Sequence, residues 1–186
     1  IDSVFDSTQV EALRNWVRDG GTLVGTEESA RFLTAGASGL TEVEAMEDTT
    51  DRPIGPYTSY AARDDSTGLD NIPGAALTGR LDATHPLAYG LGEEVYTLTY
   101  GVSGLEPSPD LQTAGHFAKD AADLLVSGYA SQSNLTQLAG HTFAGTVGMG
   151  EGTVVFLVDN TQYRMFWRGP SRMMQNAVML VPGLLE

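Results

Sequence analysis

Carboxylates and one run of arginines and aromatics are where this sequence of 186 residues could do chemistry. Glu27 and Glu28 stand at a corner, "GTLVGTEESARFL", where a short apolar run gives way to a helix-forming one. Asp159 and Asn160 follow a second apolar run, "TVVFLV". A carboxylate at a strand end can act as general acid, base or nucleophile, or hold a cation or polar ligand. At a helix start it is also favoured by the helix dipole, by about 0.3–1 kcal/mol, with no function required. Hydrolysis at such a corner would combine Glu27, Asp159 and a histidine. His85, His116 and His141 are scattered and show no metal-ligand spacing. His85, in "DATHPLAYG", sits at a proline-containing turn, where a backbone or carboxylate partner is the expectation. The chain has no cysteine, which removes thiolate nucleophiles, thiolate metal sites and disulfides together.

The stretch "NTQYRMFWRGPSR" (160–172) gathers Tyr163, Phe166 and Trp167 with Arg164, Arg168 and Arg172, in a chain with only 10 basic residues. Arginine stacks on aromatic rings and pairs bidentately with carboxylates. The run therefore either ties the last helix to acidic loops or docks a neighbouring domain or a second copy, for which Trp, Tyr and Arg are favoured anchors. The acidic set Glu42, Glu44, Glu47, Asp48 and Asp51 lacks the Asp/Asn alternation and glycine of a calcium loop and reads as a solvated charged loop. The binding candidates are Glu27, Glu28, His85, Tyr163, Arg164, Trp167 and Arg168, and no metal site is expected.

These residues need elements to place them. "DSTQVEALRNWVRDGG" predicts a helix capped by Ser7 or Thr8, with Glu11 completing a capping box and Val10, Leu13, Trp16 and Val17 forming one apolar stripe. Gly20 and Gly21 end it, "TLVG" is a buried strand, and a second helix is expected over 28–35. Residues 36–75 lack periodicity and read as a long surface excursion. Strands are predicted over 75–81, 94–101, 111–118, 123–130, 142–150 and 152–159, the last two joined as a hairpin through "GMGEG", and a final helix over 170–181 with Pro170 in its first turn. The order predicts an α/β sheet with an antiparallel extension. Such a domain ordinarily opens on a strand. This one opens on a helix, so the missing strand is expected from upstream or from late in the chain.

Composition narrows the function classes. The net charge of −14, from 24 acidic and 10 basic residues, repels phosphate backbones and anionic membrane surfaces, so nucleic acid is not an expected partner. The surface suits solubility in a salty or extracellular setting. Hydrophobic residues make up 41%, enough for a packed core, and no apolar run approaches the roughly 20 residues of a spanning helix, so membrane insertion is not expected. The chain starts at Ile1 and carries no signal-peptide pattern. Residues 1–186 are read as one domain cut from a longer product, with any targeting segment upstream.

The run from Leu13 to Thr26, "LRNWVRDGGTLVGT", resembles the strand leading to the nucleophile elbow of class I glutamine amidotransferase-like domains. The resemblance implies a flavodoxin-like three-layer sandwich with a largely parallel sheet. In active members the elbow carries a cysteine, and a histidine follows a late strand. Here Glu27 occupies the first position, and the stretch 154–164 offers Asp159 and Asn160 for the second. Without nucleophile and base, no catalytic residue is assigned. The stretches 72–91 and 156–180 are similar to the C-terminal amidotransferase-like domain of certain bacterial zinc carboxypeptidases. That resemblance implies a periplasmic or secreted parent with a peptidase domain upstream, and zinc held there by a His-x-x-Glu pair. This chain contains no such pair, and no cofactor is expected in it. The function so implied is a non-catalytic accessory module, partnered by the upstream peptidase domain or by a second copy of itself. The alternatives are a hydrolase at the remnant pocket near Glu27, and a carbohydrate- or peptide-binding module using the 36–75 segment and exposed aromatics.

Overall fold

Helix α1 (Ser7–Arg18) is capped by Asp6, one residue before the first expected cap, Ser7. Asp6 accepts from the Gln9 backbone N–H at 2.9 Å, and the Gln9 side chain accepts from the Asp6 N–H at 2.9 Å, a complete capping box. The expectation of Ser7 or Thr8 paired with Glu11 is thereby corrected: a carboxylate with Gln three residues on already satisfies both donors. Asp6→Ala should cost about 1 kcal/mol. That corresponds to a thermal midpoint lower by roughly 2–4 °C, and an unchanged midpoint would refute this reading of the cap. Val10 and Val17 are buried as predicted, but Trp16 is half exposed, its ring lying over Gly21, where a Cβ would come within 2.6 Å of it.

The structure, a computed structural model, describes residues 5–49, 55–62, 68–165 and 167–184; Asp51 and Phe166 lie outside the described residues. Strands β1 (Thr22–Thr26), β2 (Ala75–Leu81), β3 (Glu94–Thr99), β4 (Gln112–Phe117), β5 (Leu125–Ser127), β6 (Thr142–Met149) and β7 (Gly152–Leu157) form one sheet in the order β1-β7-β6-β4-β2-β3, with β5 also on β2. Helix α2 (Glu28–Phe32) follows β1, α3 (Gln132–Leu138) precedes β6, and α4 (Arg168–Met179) and α5 (Val181–Leu184) close the described chain. The class is mixed α/β, as expected. Parallel pairing is confined to β1 and β7, and the antiparallel extension makes up the rest of the sheet. The physical reason is connection length: β6 and β7 are joined by Gly150 and Glu151 alone, which permits only a hairpin. β1 pairs in parallel with β7, from late in the chain, and is an end strand of the described sheet. All six β7 residues are buried, so both faces of the sheet are covered there.

Two expectations about the early chain are revised. Helix α2 ends at Phe32, short of residue 35, because the Leu33 carbonyl is taken by the Thr41 N–H and hydroxyl and the Arg31 carbonyl by the Thr34 hydroxyl. The 36–75 segment is not only a surface excursion. Leu40, Val43, Met46 and Ile72 are buried in the common core, and Ala45 bridges Leu105. Glu42, Glu44 and Glu47 alternate with these apolar residues and point outward. The strand over 123–130 shrinks to three residues, and α3, which "SQSNLTQL" did not announce, forms with Ser131 as its cap. No described helix is long and apolar enough to cross a membrane.

Candidate functional site

The corner after β1 is built by glycine and strain. Gly25 lies under α2, where a Cβ would come within 2.6 Å of Leu33 and 2.9 Å of the Ala30 backbone, so only glycine lets the helix fold back over the strand. Glu27 donates its N–H to Leu157 O at 3.0 Å, the last rung of the β1–β7 ladder, and its carbonyl receives Ala30 and Arg31, the first turn of α2. Between these roles its backbone is forced to φ 50°, ψ −128°. Glu27 and Arg164 are the non-glycine residues with positive φ among those described. Such strain persists only where the surroundings impose it, and it aims the Glu27 side chain out of the corner at the carboxyl ends of β1 and β7.

Asp159 arrives at the same place from β7, two residues past Leu157. It is 7% exposed, and its Oδ2 accepts from the Thr99 hydroxyl at 2.8 Å, which is itself 3.1 Å from the Thr97 hydroxyl. Burial pushes the Asp159 carboxyl up to about 7; the Thr99 and Thr97 hydroxyls oppose the rise, and the Glu27 charge adds to it. Strand β3 is not a neighbour of β7 in the sheet order, yet its last residue, Thr99, bonds Asp159, which lies past the end of β7. On the same sheet Gly79 and Gly115 each leave room for the Phe143 ring, which a Cβ at either position would strike.

Glu27, Glu28, Asp159 and Asn160 line one cleft of about 150 Å³ with Leu98, Tyr100, Ser103 and Val158. The Tyr100 ring lies 6.1 Å from that of Tyr163, and the Arg164 guanidinium stands 5.2 Å from the Tyr163 ring centre. The Tyr100 hydroxyl is held above its ordinary range chiefly by its hydrogen bond with Tyr163, with Arg164 acting the other way. Tyr163 and Arg164 thus stand next to Tyr100, and neither lines the cleft. Glu28 also borders a larger recess, about 690 Å³, with Arg31, Glu44 and Glu47.

Of the residues singled out from sequence, Glu27, Glu28, Asp159 and Asn160 meet, with Tyr163 and Arg164 beside them. Trp167 caps α4, and Arg168 is its exposed first residue. Arg172 reaches the Tyr89 carbonyl and Asn176 the Leu87 and Tyr89 carbonyls, so this helix anchors the 85–91 turn. His85 belongs to that turn and not to the cleft. Its Nδ1 accepts from the Leu87 N–H at 3.1 Å, and its Nε2 lies 3.2 Å from the Thr146 hydroxyl. Burial lowers its pKa, with Asp82 opposing. None of the three histidines lines the cleft, so the combination of Glu27, Asp159 and a histidine does not assemble. Among the described residues no group of three or more His, Asp or Glu is placed to hold a metal. Sequence reasoning missed Thr97, Thr99 and Tyr100; the signal was the inward polar alternation in "YTLTY".

The class that fold and corner define is an α/β domain with a carboxylate at a strained strand-to-helix elbow. No protein-family model and no curated protein matches the chain. Among solved structures it is similar to a cytoplasmic protein from Salmonella typhimurium, at 12% identity and a TM-score of 0.48 over 93% of this chain and 60% of that one. It is similar to a ThuA-like protein from Bacteroides uniformis, at 13% identity and a TM-score of 0.48 over 91% of this chain and 61% of that one. It is also similar to a β-galactosidase from Bacillus circulans, at 11% identity and a TM-score of 0.47 over 91% of this chain and 20% of that one. The chain thus spans less than two thirds of the length of each of these structures.

Proposed function

We infer that this chain is a non-catalytic, amidotransferase-like accessory domain whose elbow has changed from a reactive centre to a binding corner. The observation that carries the reading is Glu27, at φ 50°, in the place of a nucleophile, with the buried Asp159 in the place of a base. A carboxylate pair without thiol or imidazole has no route to the acyl-enzyme of glutamine hydrolysis. The parent is a zinc carboxypeptidase-type hydrolase, periplasmic or secreted, with zinc in its upstream domain; the similarity of 72–91 and 156–180 supports this. The exposed Arg164 and Arg168 beside Tyr163 and Trp167 supply the face that docks the peptidase domain or a second copy.

Incubated with glutamine, the protein should release ammonia no faster than buffer does. Sustained release that is lost in Glu27→Gln overturns the non-catalytic reading. The parent assignment requires a His-x-x-Glu pair upstream of Ile1 in the same gene product, and a full-length product without one overturns it.

A further inference from the structure

Strand β1 is one end of the sheet, and its outer edge is open. The Gly21 carbonyl accepts from the Thr153 N–H at 3.1 Å, and the Glu27 N–H donates to the Leu157 carbonyl at 3.0 Å. The odd-numbered residues of this stretch therefore turn their backbone groups to β7. In a parallel ladder a residue's N–H and C=O point to one side, so Thr22, Val24 and Thr26 turn three donors and three acceptors outward. Among the described residues none of these six groups has a hydrogen-bond partner. Edges are ordinarily blunted by charge, proline or a bulge. β3, at the other end of the sheet, carries Glu94, paired with Arg80. β1, "TLVGT", has none of these, and its pairing with β7 runs without a register shift. Leu23 and Val24 point to opposite faces, both pack on the core, and both remain only half-buried.

We propose that this edge takes a further strand, parallel to β1, from the polypeptide that leads into α1, and that α1 is the crossover between the two. The direction follows from α1. The helix gives way to Gly20 and Gly21 at the amino end of β1, and its 12 residues span about 18 Å, about the length of the five-residue strand. Its start lies back at the other end, where the Phe5 ring is 5.4 Å from that of Phe32, the last residue of α2. A strand that ends where α1 begins therefore runs from the amino to the carboxyl end of β1. Parallel neighbours need a crossover of about a dozen residues or more, usually a helix, and β7 already holds the other side of β1. A second copy, paired edge to edge across a two-fold axis, would be antiparallel and would leave α1 joining no strand; the net charge of −14 also opposes it. Because Leu23 and Val24 are incompletely covered on opposite faces, the incoming strand is apolar on both, a continuous run like β7. The proposal rests on the reading of residues 1–186 as part of a longer product, and not on the parent being a peptidase.

Backbone amide exchange followed by NMR tests this on the chain of 186 residues and on the same gene product begun about 20 residues further upstream, room for one strand and its link. In the shorter chain the Leu23, Gly25 and Glu27 amides, bonded to β7, should exchange at least about 100-fold more slowly than those of Thr22, Val24 and Thr26. In the longer product the three outward amides should slow by at least about 100-fold, to the level of their neighbours, at every protein concentration. Outward amides that still exchange fast in the longer product overturn the proposal. Slow exchange at these positions in the shorter chain overturns it too. If that slowing grows with protein concentration, a second copy holds the edge; if it does not, residues 1–186 cover the edge themselves. An upstream sequence with no run of about five apolar residues ahead of α1 also overturns it. None of these outcomes bears on the ammonia assay or on the His-x-x-Glu pair, which test the proposed function separately.

Discussion

Asp159→Asn should make the protein more stable at pH 8 and flatten its stability between pH 5 and 8. In the folded protein the Asp159 carboxyl titrates near 7, well above its ordinary value of 3.8. Between these values the folded state holds a proton that the unfolded chain has lost. Stability therefore falls as pH rises from about 4 to about 7 and stays at the lower level beyond. The separation corresponds to about 4 kcal/mol, and water entering beside the exposed Glu27 reduces it, so about 2–4 kcal/mol is the expected loss. Asparagine keeps an acceptor for the Thr99 hydroxyl and has no charge to bury. Its own stability should change little with pH for this reason, and it should exceed the parent above pH 7. Urea denaturation of both proteins at pH 5 and pH 8 reads the difference directly. Parallel pH dependences for the two would show that Asp159 is ionised in the folded state.

The second large effect is steric. Gly152 opens β7, directly beneath the end of α1, and a Cβ there would overlap the carbonyl oxygens of Val17 and Gly21. Both atoms are backbone, so the helix or the strand must move as a unit. Gly152→Ala should cost about 3 kcal/mol or more. On a domain of this size that lowers the thermal midpoint by roughly 6–12 °C. Gly148, which pairs with Thr153 across the same hairpin, provides the control, because a Cβ built there meets nothing within 4 Å. Gly148→Ala should stay within about 0.5 kcal/mol of the parent. Equal losses at the two positions would mean that hairpin glycines matter here for backbone freedom and not for space.

The elbow was readable because its determinants are local. Gly25 two residues before Glu27, small Ser29 after it, and an apolar run on each side specify strand, corner and helix within a dozen residues. The missing cysteine was equally plain, and it leaves the corner without a thiol. Strand positions followed from composition, and β2 matches its predicted bounds. Helix α2 is shorter than its sequence predicts because the hydroxyls that end it, Thr34 and Thr41, act on carbonyls back along the chain, both from outside the helix. Trp16 matched the apolar spacing of α1 but covers the glycine turn in place of the core.

The sequence by itself determined a mixed α/β chain with carboxylates at the ends of two apolar strands, and no sulfur to attack with. Only the tertiary structure decided that those strands lie side by side, that Asp159 is buried against Thr97 and Thr99 of a strand from the far side of the sheet, and that Tyr100, at the cleft, packs beside Tyr163 and its Arg164. The physical reason is range. Periodicity and turn chemistry act over a few residues, whereas a carboxyl's proton affinity depends on which distant groups the fold brings against it.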